Sequence, residues 1–282
     1  MSTVTVLTDS SAYLPQELIS KYPIRVMPLT LIWDGKTYRD GVDIKAAEFY
    51  LRLSKSRTLP TTSQVAAGEI ITRVNEILSA GQDVLILPIS SGISSTYPTA
   101  AGIMKDFPQE RVALLDTRLV SMALGFQVLT AARLAASGAS LAECKQAAMD
   151  AYDHIGVYFI VDTLKYLAAG GRINTAKRLM GTALSIKPIL AILDGKIELV
   201  SSVRTRRKAM DAMLDLVEKG IARRSPVRIS VFHAMAEELA NELMATVKQR
   251  FSPIELILAE VSPVIGAHVG PGTIAIAYQA GR

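Results

Sequence analysis

Cysteine occurs once in 282 residues, at Cys144, so no disulfide within the chain can brace the fold. Aromatic residues make up 6% and charged residues 20%. So few aromatics, with no recognisable nucleic-acid module, argue against a nucleic-acid partner despite a net charge of +5. The dense basic stretch Arg204, Arg206, Arg207 and Lys208 suits an acidic ligand or transient contact with an anionic membrane surface equally well. No apolar run approaches the roughly 18 residues of a spanning helix. MSTVTVLTDS lacks the basic-then-apolar pattern of a secretory leader, so a cytoplasmic, soluble protein is expected. Also missing is any G-x-x-x-x-G-K-[ST] loop, so the chain is not expected to handle ATP by itself. No metal or cofactor is expected either.

What the sequence does have is apolar residues, at 50%, enough to bury a substantial core. They are arranged in βα alternation. VTVLTD (4–9) and DVLILPI (83–89) read as strands, the second continuously apolar as in a parallel strand covered on both faces. Amphipathic helices are expected in AAEFYLRLSKS and VAAGEIITRVNEILSAG, and further helices near 121–137 and 141–154. The texture changes near residue 155. Beyond it, Asp194-Gly195 marks a hairpin within SIKPILAILDGKIELVSSVRT, as Asp34-Gly35 does earlier. The expected architecture is α/β in two domains without a flexible spacer. Residues 1–155 form an open parallel sheet flanked by helices, and residues 156–282 a mixed-sheet α/β unit. A ligand would sit in the cleft between them.

Several segments are rich in groups that bind anions. SSGISSTY (90–97) follows a buried strand with small and hydroxyl residues. Gly92-Ile93-Ser94-Ser95-Thr96 approaches the nucleophile elbow G-x-S-x-G but ends in threonine. It also sits about five residues beyond the strand, where the elbow would be immediate. His154, His233 and His268 have no flanks that identify a partner base for Ser94. Three readings stay open: a serine hydrolase using Ser94, a solvated turn capping a helix, or a nest of hydroxyls and N–H groups holding an oxyanion at a helix N-terminus. Other segments share this character. Thr61-Thr62-Ser63-Gln64 precedes a helix, and Thr8-Asp9-Ser10-Ser11 ends the first strand. Gly170-Gly171-Arg172 follows a short helix, and His268 is expected in a glycine-rich turn, Gly266 to Gly272.

Taken together, TDSSAYLP (8–15), TSQ (62–64), SSGISSTY (90–97), LLDTRLVSMALG (114–125), YLAAGGRI (166–173), KPIL (187–190), VRTRRKA (203–209) and HVGPG (268–272) resemble the DegV family of bacterial proteins, in order and over essentially the whole chain. The resemblance implies two α/β domains with a long-chain fatty acid held between them. It also implies a role as the acyl-binding subunit of a fatty acid kinase system. Such a subunit presents the carboxylate to a separate ATP-using kinase and carries away the acyl phosphate, with no catalysis of its own. By the same resemblance Thr62, Ser94, Ser95 and His268 bind the carboxylate, and Arg172 and Arg204 suit the acyl phosphate. Phe159, Met180, Leu184, Ile186 and Ile189 are named as acyl-chain lining, with plain core as the competing reading of each. The sequence departs from the family at Ser95, where glycine is common and a Cβ is added beside the head group. It departs again at Val65-Ala66, where the family often has proline.

Overall fold

The structure, a computed structural model, describes residues 3–179 and 186–281. In chain order its strands are β1 (Val4–Asp9), β2 (Ile24–Met27), β3 (Thr30–Trp33), β4 (Lys36–Arg39), β5 (Thr61–Ser63), β6 (Asp83–Leu87), β7 (Val112–Leu114), β8 (Ile155–Ile160), β9 (Lys187–Leu193), β10 (Lys196–Val203), β11 (Val227–His233), β12 (Glu255–Glu260) and β13 (Ile274–Ala280). Its α-helices are α1 (Gln16–Lys21), α2 (Ala46–Lys55), α3 (Ala67–Ser79), α4 (Thr96–Ile103), α5 (Ser121–Ala136), α6 (Leu141–Ala151), α7 (Lys165–Ala169), α8 (Arg206–Ile221), α9 (Glu237–Phe251) and α10 (Pro263–Val269).

The α/β architecture is the expected one. A parallel sheet runs β2-β1-β6-β7, and a mixed sheet runs β10-β9-β8-β13-β11-β12, antiparallel except for β11 beside β12. Both Asp-Gly pairs close antiparallel hairpins. Asp34 and Gly35 have φ of 49° and 73°, and Asp194 and Gly195 have 48° and 77°, as a two-residue turn of this hand requires. The first of these hairpins belongs to a third small sheet, β4-β3-β5, in which the strand β5 was not foreseen. Its strand β5 is only three residues, Thr-Thr-Ser, too short to show a period, and pairing with β3 alone makes it a strand. The histidine-bearing segment also differs from expectation. Residues 263–269 are helical and only Gly270 to Gly272 turn. Gly266 is small for space, because an added Cβ would lie 2.6 Å from the Tyr50 hydroxyl and 2.8 Å from the Phe49 ring.

Helix α5, SMALGFQVLTAARLAA, is apolar around most of its surface, with Gln127, Thr130 and Arg133 the longer polar exceptions, the pattern of a helix covered on more than one side. It packs on β1 and on the one-turn helix Ser10–Ala12 from one direction, and on β13 and β8 from the other. The parallel and mixed sheets therefore share it as a common middle layer, and their apolar side chains merge into one core cluster. A second cluster lies on the far face of the mixed sheet, under α8 and α9.

Gly125 marks the closest approach. An added Cβ would stand 2.7 Å from the Ala12 carbonyl oxygen and 3.0 Å from the Met122 sulfur. Gly125→Ala should therefore destabilise the protein by about 1–3 kcal/mol through overpacking, although alanine is the better helix former by about 1 kcal/mol. A urea midpoint equal to the parent's would mean that the layer has slack.

Candidate functional site

Where β8, β11 and β9 of the mixed sheet face the start of α5, side chains leave a cavity. One arm is apolar, walled by Tyr13, Val157, Phe159, Ile192 and Phe232, and encloses about 560 Å³ of empty space including its mouth. The other arm is polar, walled by Thr62, Ser63, Gln64, Ser94 and Ser95, with about 430 Å³. Ile93, Arg172, Ile265 and His268 line both, so the two arms meet at an arginine and a histidine. An elongated amphiphile has the matching shape and polarity.

The polar arm is built by interlocking. Buried Ser90 donates its hydroxyl to the Gly195 carbonyl at 2.7 Å and accepts from Gly92 N–H at 3.1 Å. The tip of the β9–β10 hairpin thus holds the hydroxyl loop. Glycine is needed on both sides: a Cβ on Gly92 would lie 2.5 Å from the Gly195 oxygen, and one on Gly195 2.6 Å from Ser90 Oγ. Ser91 turns outward, its hydroxyl and N–H both bound by Asp116. Ser94 Oγ accepts from Thr96 N–H at 3.2 Å and lies 3.0 Å from Thr96 Oγ1, which ties the loop to the first residue of α4. Thr96 Oγ1 in turn accepts from Val65 N–H at 3.3 Å, which draws the segment after β5 against the loop.

Thr62 and His268, 206 residues apart, meet at 2.7 Å through Oγ1 and Nε2. The other ring nitrogen, Nδ1, is buried without a partner, and an added Cβ on Gly170 would fall 2.0 Å from it. Gly170 is therefore glycine because the imidazole occupies that space. Burial, and then the Arg172 guanidinium, push the His268 pKa down to about 4, so the ring is neutral at pH 7. Arg172 donates Nε to the Ile93 carbonyl at 3.2 Å and its guanidinium also bonds the Gly170 carbonyl.

The structure therefore brings Thr62, Ser94, Ser95, Arg172 and His268 to one cavity, with Phe159 in its apolar arm. Arg204 stands apart, exposed at the loop between β10 and α8. Ile189 is buried in the cluster under α8, on the face of β9 opposite Leu190 and Ile192, because successive strand side chains alternate. It is core and not cavity wall. Ile186, half-buried just before β9, is also absent from the wall. Met180 and Leu184 lie outside the described residues. Tyr13, Val157, Ile192 and Phe232 are wall residues that sequence reasoning missed. Alternation from Phe159 on β8 would have found Val157 alone. Among the described residues no histidine bonds a serine hydroxyl: His154 Nδ1 meets the Ala280 carbonyl at 2.8 Å, and His233 Nδ1 accepts from Ala236 N–H at 3.3 Å.

A sequence model of the family described as "Uncharacterised protein, DegV family" matches residues 3–281. A DegV domain-containing protein of Clostridium acetobutylicum is 34% identical over 279 residues, covering 98% of this chain and 97% of its own. Among solved structures, DegV of Bacillus subtilis, described as a fatty acid binding protein, matches with a TM-score of 0.90 at 31% identity, covering 99% of this chain and 100% of its own. A Thermus thermophilus DegV family protein, described by its fatty acid binding, matches with a TM-score of 0.93 at 30% identity and 99% coverage of each chain.

The His268 environment has a measurable consequence. Its folded pKa of about 4 lies below the ordinary 6.5, so the unfolded chain takes up the proton first as pH falls. The stability tied to the neutral ring is fully present above pH 6.5 and is lost progressively down to about 4, on the order of 3 kcal/mol in all. His268→Asn should show a flatter decline of the urea midpoint over that window than the parent, since other titrating groups are common to both. Parallel pH profiles would mean that the ring is not held neutral.

Proposed function

The chain belongs to the DegV family; from that membership and the two-armed cavity we propose that it binds a long-chain fatty acid and presents the carboxylate to a separate, ATP-dependent kinase subunit, then carries the acyl phosphate. The observation that carries this reading is that the apolar and polar arms lie side by side and share Ile93, Arg172, Ile265 and His268 as walls. In this reading the chain is a cytoplasmic carrier of two α/β halves, 1–155 and 156–282, with Phe159 and its neighbours around the acyl chain. Burying about 14 methylenes at roughly 0.8 kcal/mol each offers on the order of 11 kcal/mol before binding costs. That is enough for a lipid to survive purification.

The carboxylate is received by Thr62, Ser94 and the loop N–H groups near Ser95. With His268 neutral, Nε2–H donates to Thr62 Oγ1 and frees the threonine hydroxyl hydrogen for the ligand. The opposite tautomer would leave Nδ1–H a buried, unpaired donor. Arg172 waits at the junction of the arms. Arg204 enters once the head group gains a phosphate and with it further negative charge, which a guanidinium fork meets in bidentate fashion.

Two outcomes test this. Lipid extraction of protein purified from a bacterial host should yield a stoichiometric long-chain fatty acid. Thr62→Val and Ser94→Ala should each weaken its retention by ~1.5–3 kcal/mol, the worth of a hydrogen bond to a charged group. Parent-like retention in both would place the head group elsewhere. Separately, Arg172→Ala and Arg204→Ala should keep bound fatty acid yet lose acyl phosphate formation with a cognate kinase and ATP. Unimpaired activity in both variants, or acyl phosphate made by the carrier alone, would overturn the assignment.

A further inference from the structure

The motif Thr8-Asp9-Ser10-Ser11 ends β1 without lining the polar arm, yet its side chains reach into that wall from behind. Asp9 Oδ2 accepts from Ile89 N–H at 2.7 Å. Ser10 Oγ accepts from Leu29 N–H at 3.1 Å and donates to Asp40 Oδ2 at 2.6 Å. Asp40 Oδ1 accepts from Val264 N–H at 3.2 Å. Leu29, Ile89 and Val264 are all wall residues of the polar arm. They come from three separate pieces of chain: the link between β2 and β3, the turn after β6 that runs into the hydroxyl loop, and the first turn of α10, whose last turn carries His268. The remaining oxygen of Asp9 accepts from Ser11 N–H at 3.1 Å and Ser11 Oγ at 2.6 Å.

We propose that Asp9, Ser10 and Asp40 are positioning residues of the head-group site, a buried frame that sets the hydroxyl loop and α10 at the spacing a carboxylate needs. The inference rests on the fatty acid reading above. Carboxylates suit the task because each offers only acceptors and makes short, charge-assisted bonds to N–H groups from different elements. Both are buried, at 0% and 2% exposure, and burial raises both pKa values, that of Asp40 to about 6. Such groups would be costly as mere core, where an apolar residue of similar volume packs without the desolvation penalty.

The test compares palmitate with 1-hexadecanol on the purified, delipidated full chain. The two probes share a chain and differ at the head group. Ser10→Ala, which leaves Leu29 N–H unpaired, and Asp40→Asn, which keeps the shape but replaces one acceptor with a donor, should each weaken palmitate about tenfold or more. Hexadecanol affinity should stay within about twofold, and Ser10→Thr should restore palmitate binding. Equal loss of both probes, or parent-like palmitate affinity in both variants, would overturn the inference while leaving the fatty acid reading intact. A parent protein that binds no palmitate would sink the reading itself and this inference with it. If Ser10→Ala fails to fold, Asp40→Asn carries the same comparison.

Discussion

A helix that is apolar around most of its surface has to be covered from more than one side, and α5 is that helix. Twelve of its sixteen residues are buried, from Ser121 to Ala135. Each large side chain so covered contributes on the order of 2 kcal/mol, and neither sheet alone can reach all of them. The parallel sheet therefore approaches from one direction and the mixed sheet from the other. Close packing against the Ala12 carbonyl leaves no room even for a methyl group at Gly125. The cavity falls at the N-terminal end of this layer, where Val120 and Ser121 meet Phe159 and Phe232, so its position follows from how the two sheets clasp one helix.

The polar arm follows from a second constraint, the need to bring backbone close to backbone. Gly92, Gly195 and Gly170 hold no side chain because the space beside each is already filled by a carbonyl, the Ser90 hydroxyl or the His268 ring. The run of small residues after β6 thus has two jobs divided by position. Ser90 and Gly92 lock the loop to the hairpin tip and Ser91 ties to Asp116, while Ser94 and Ser95 face the cavity. A string of six small or hydroxyl residues reads as one feature in sequence, but its members work in different directions.

Much of the fold was legible because strands and helices advertise themselves by period, and both Asp-Gly hairpins by turn chemistry. The site was legible as a set of segments and only through resemblance. Nothing local says that Thr62 and His268, 206 residues apart, will share a hydrogen bond. Three features were hidden for physical reasons. Strand β5 exists only through its pairing with β3. Helix α10 was obscured by Gly266, which serves packing against Tyr50 and not a turn. On β9 a one-residue difference decides the face, so Ile189 joins the cluster under α8 while Ile192 lines the cavity. A strand apolar on both faces gives no sign of which side holds a ligand.

The electrostatics of the junction bear on what that ligand is. Arg52, Arg73, Arg111, Arg133 and Arg250 each meet a carboxylate within 3.1 Å. Arg172 forms no ion pair among the described residues; its partners are the carbonyls of Ile93 and Gly170. Those carbonyls fix the side chain without cancelling its charge. Beside it, His268 is held neutral partly by that same guanidinium, so the junction carries one positive charge where two would be possible. The two acidic residues behind the wall spend their acceptors on backbone N–H groups and serine hydroxyls and bond no arginine among the described residues. In the carrier we propose, the hydroxyl loop holds the free carboxylate and this uncancelled charge is kept for the further negative charge of the acyl phosphate, so losing Arg172 spares fatty acid binding.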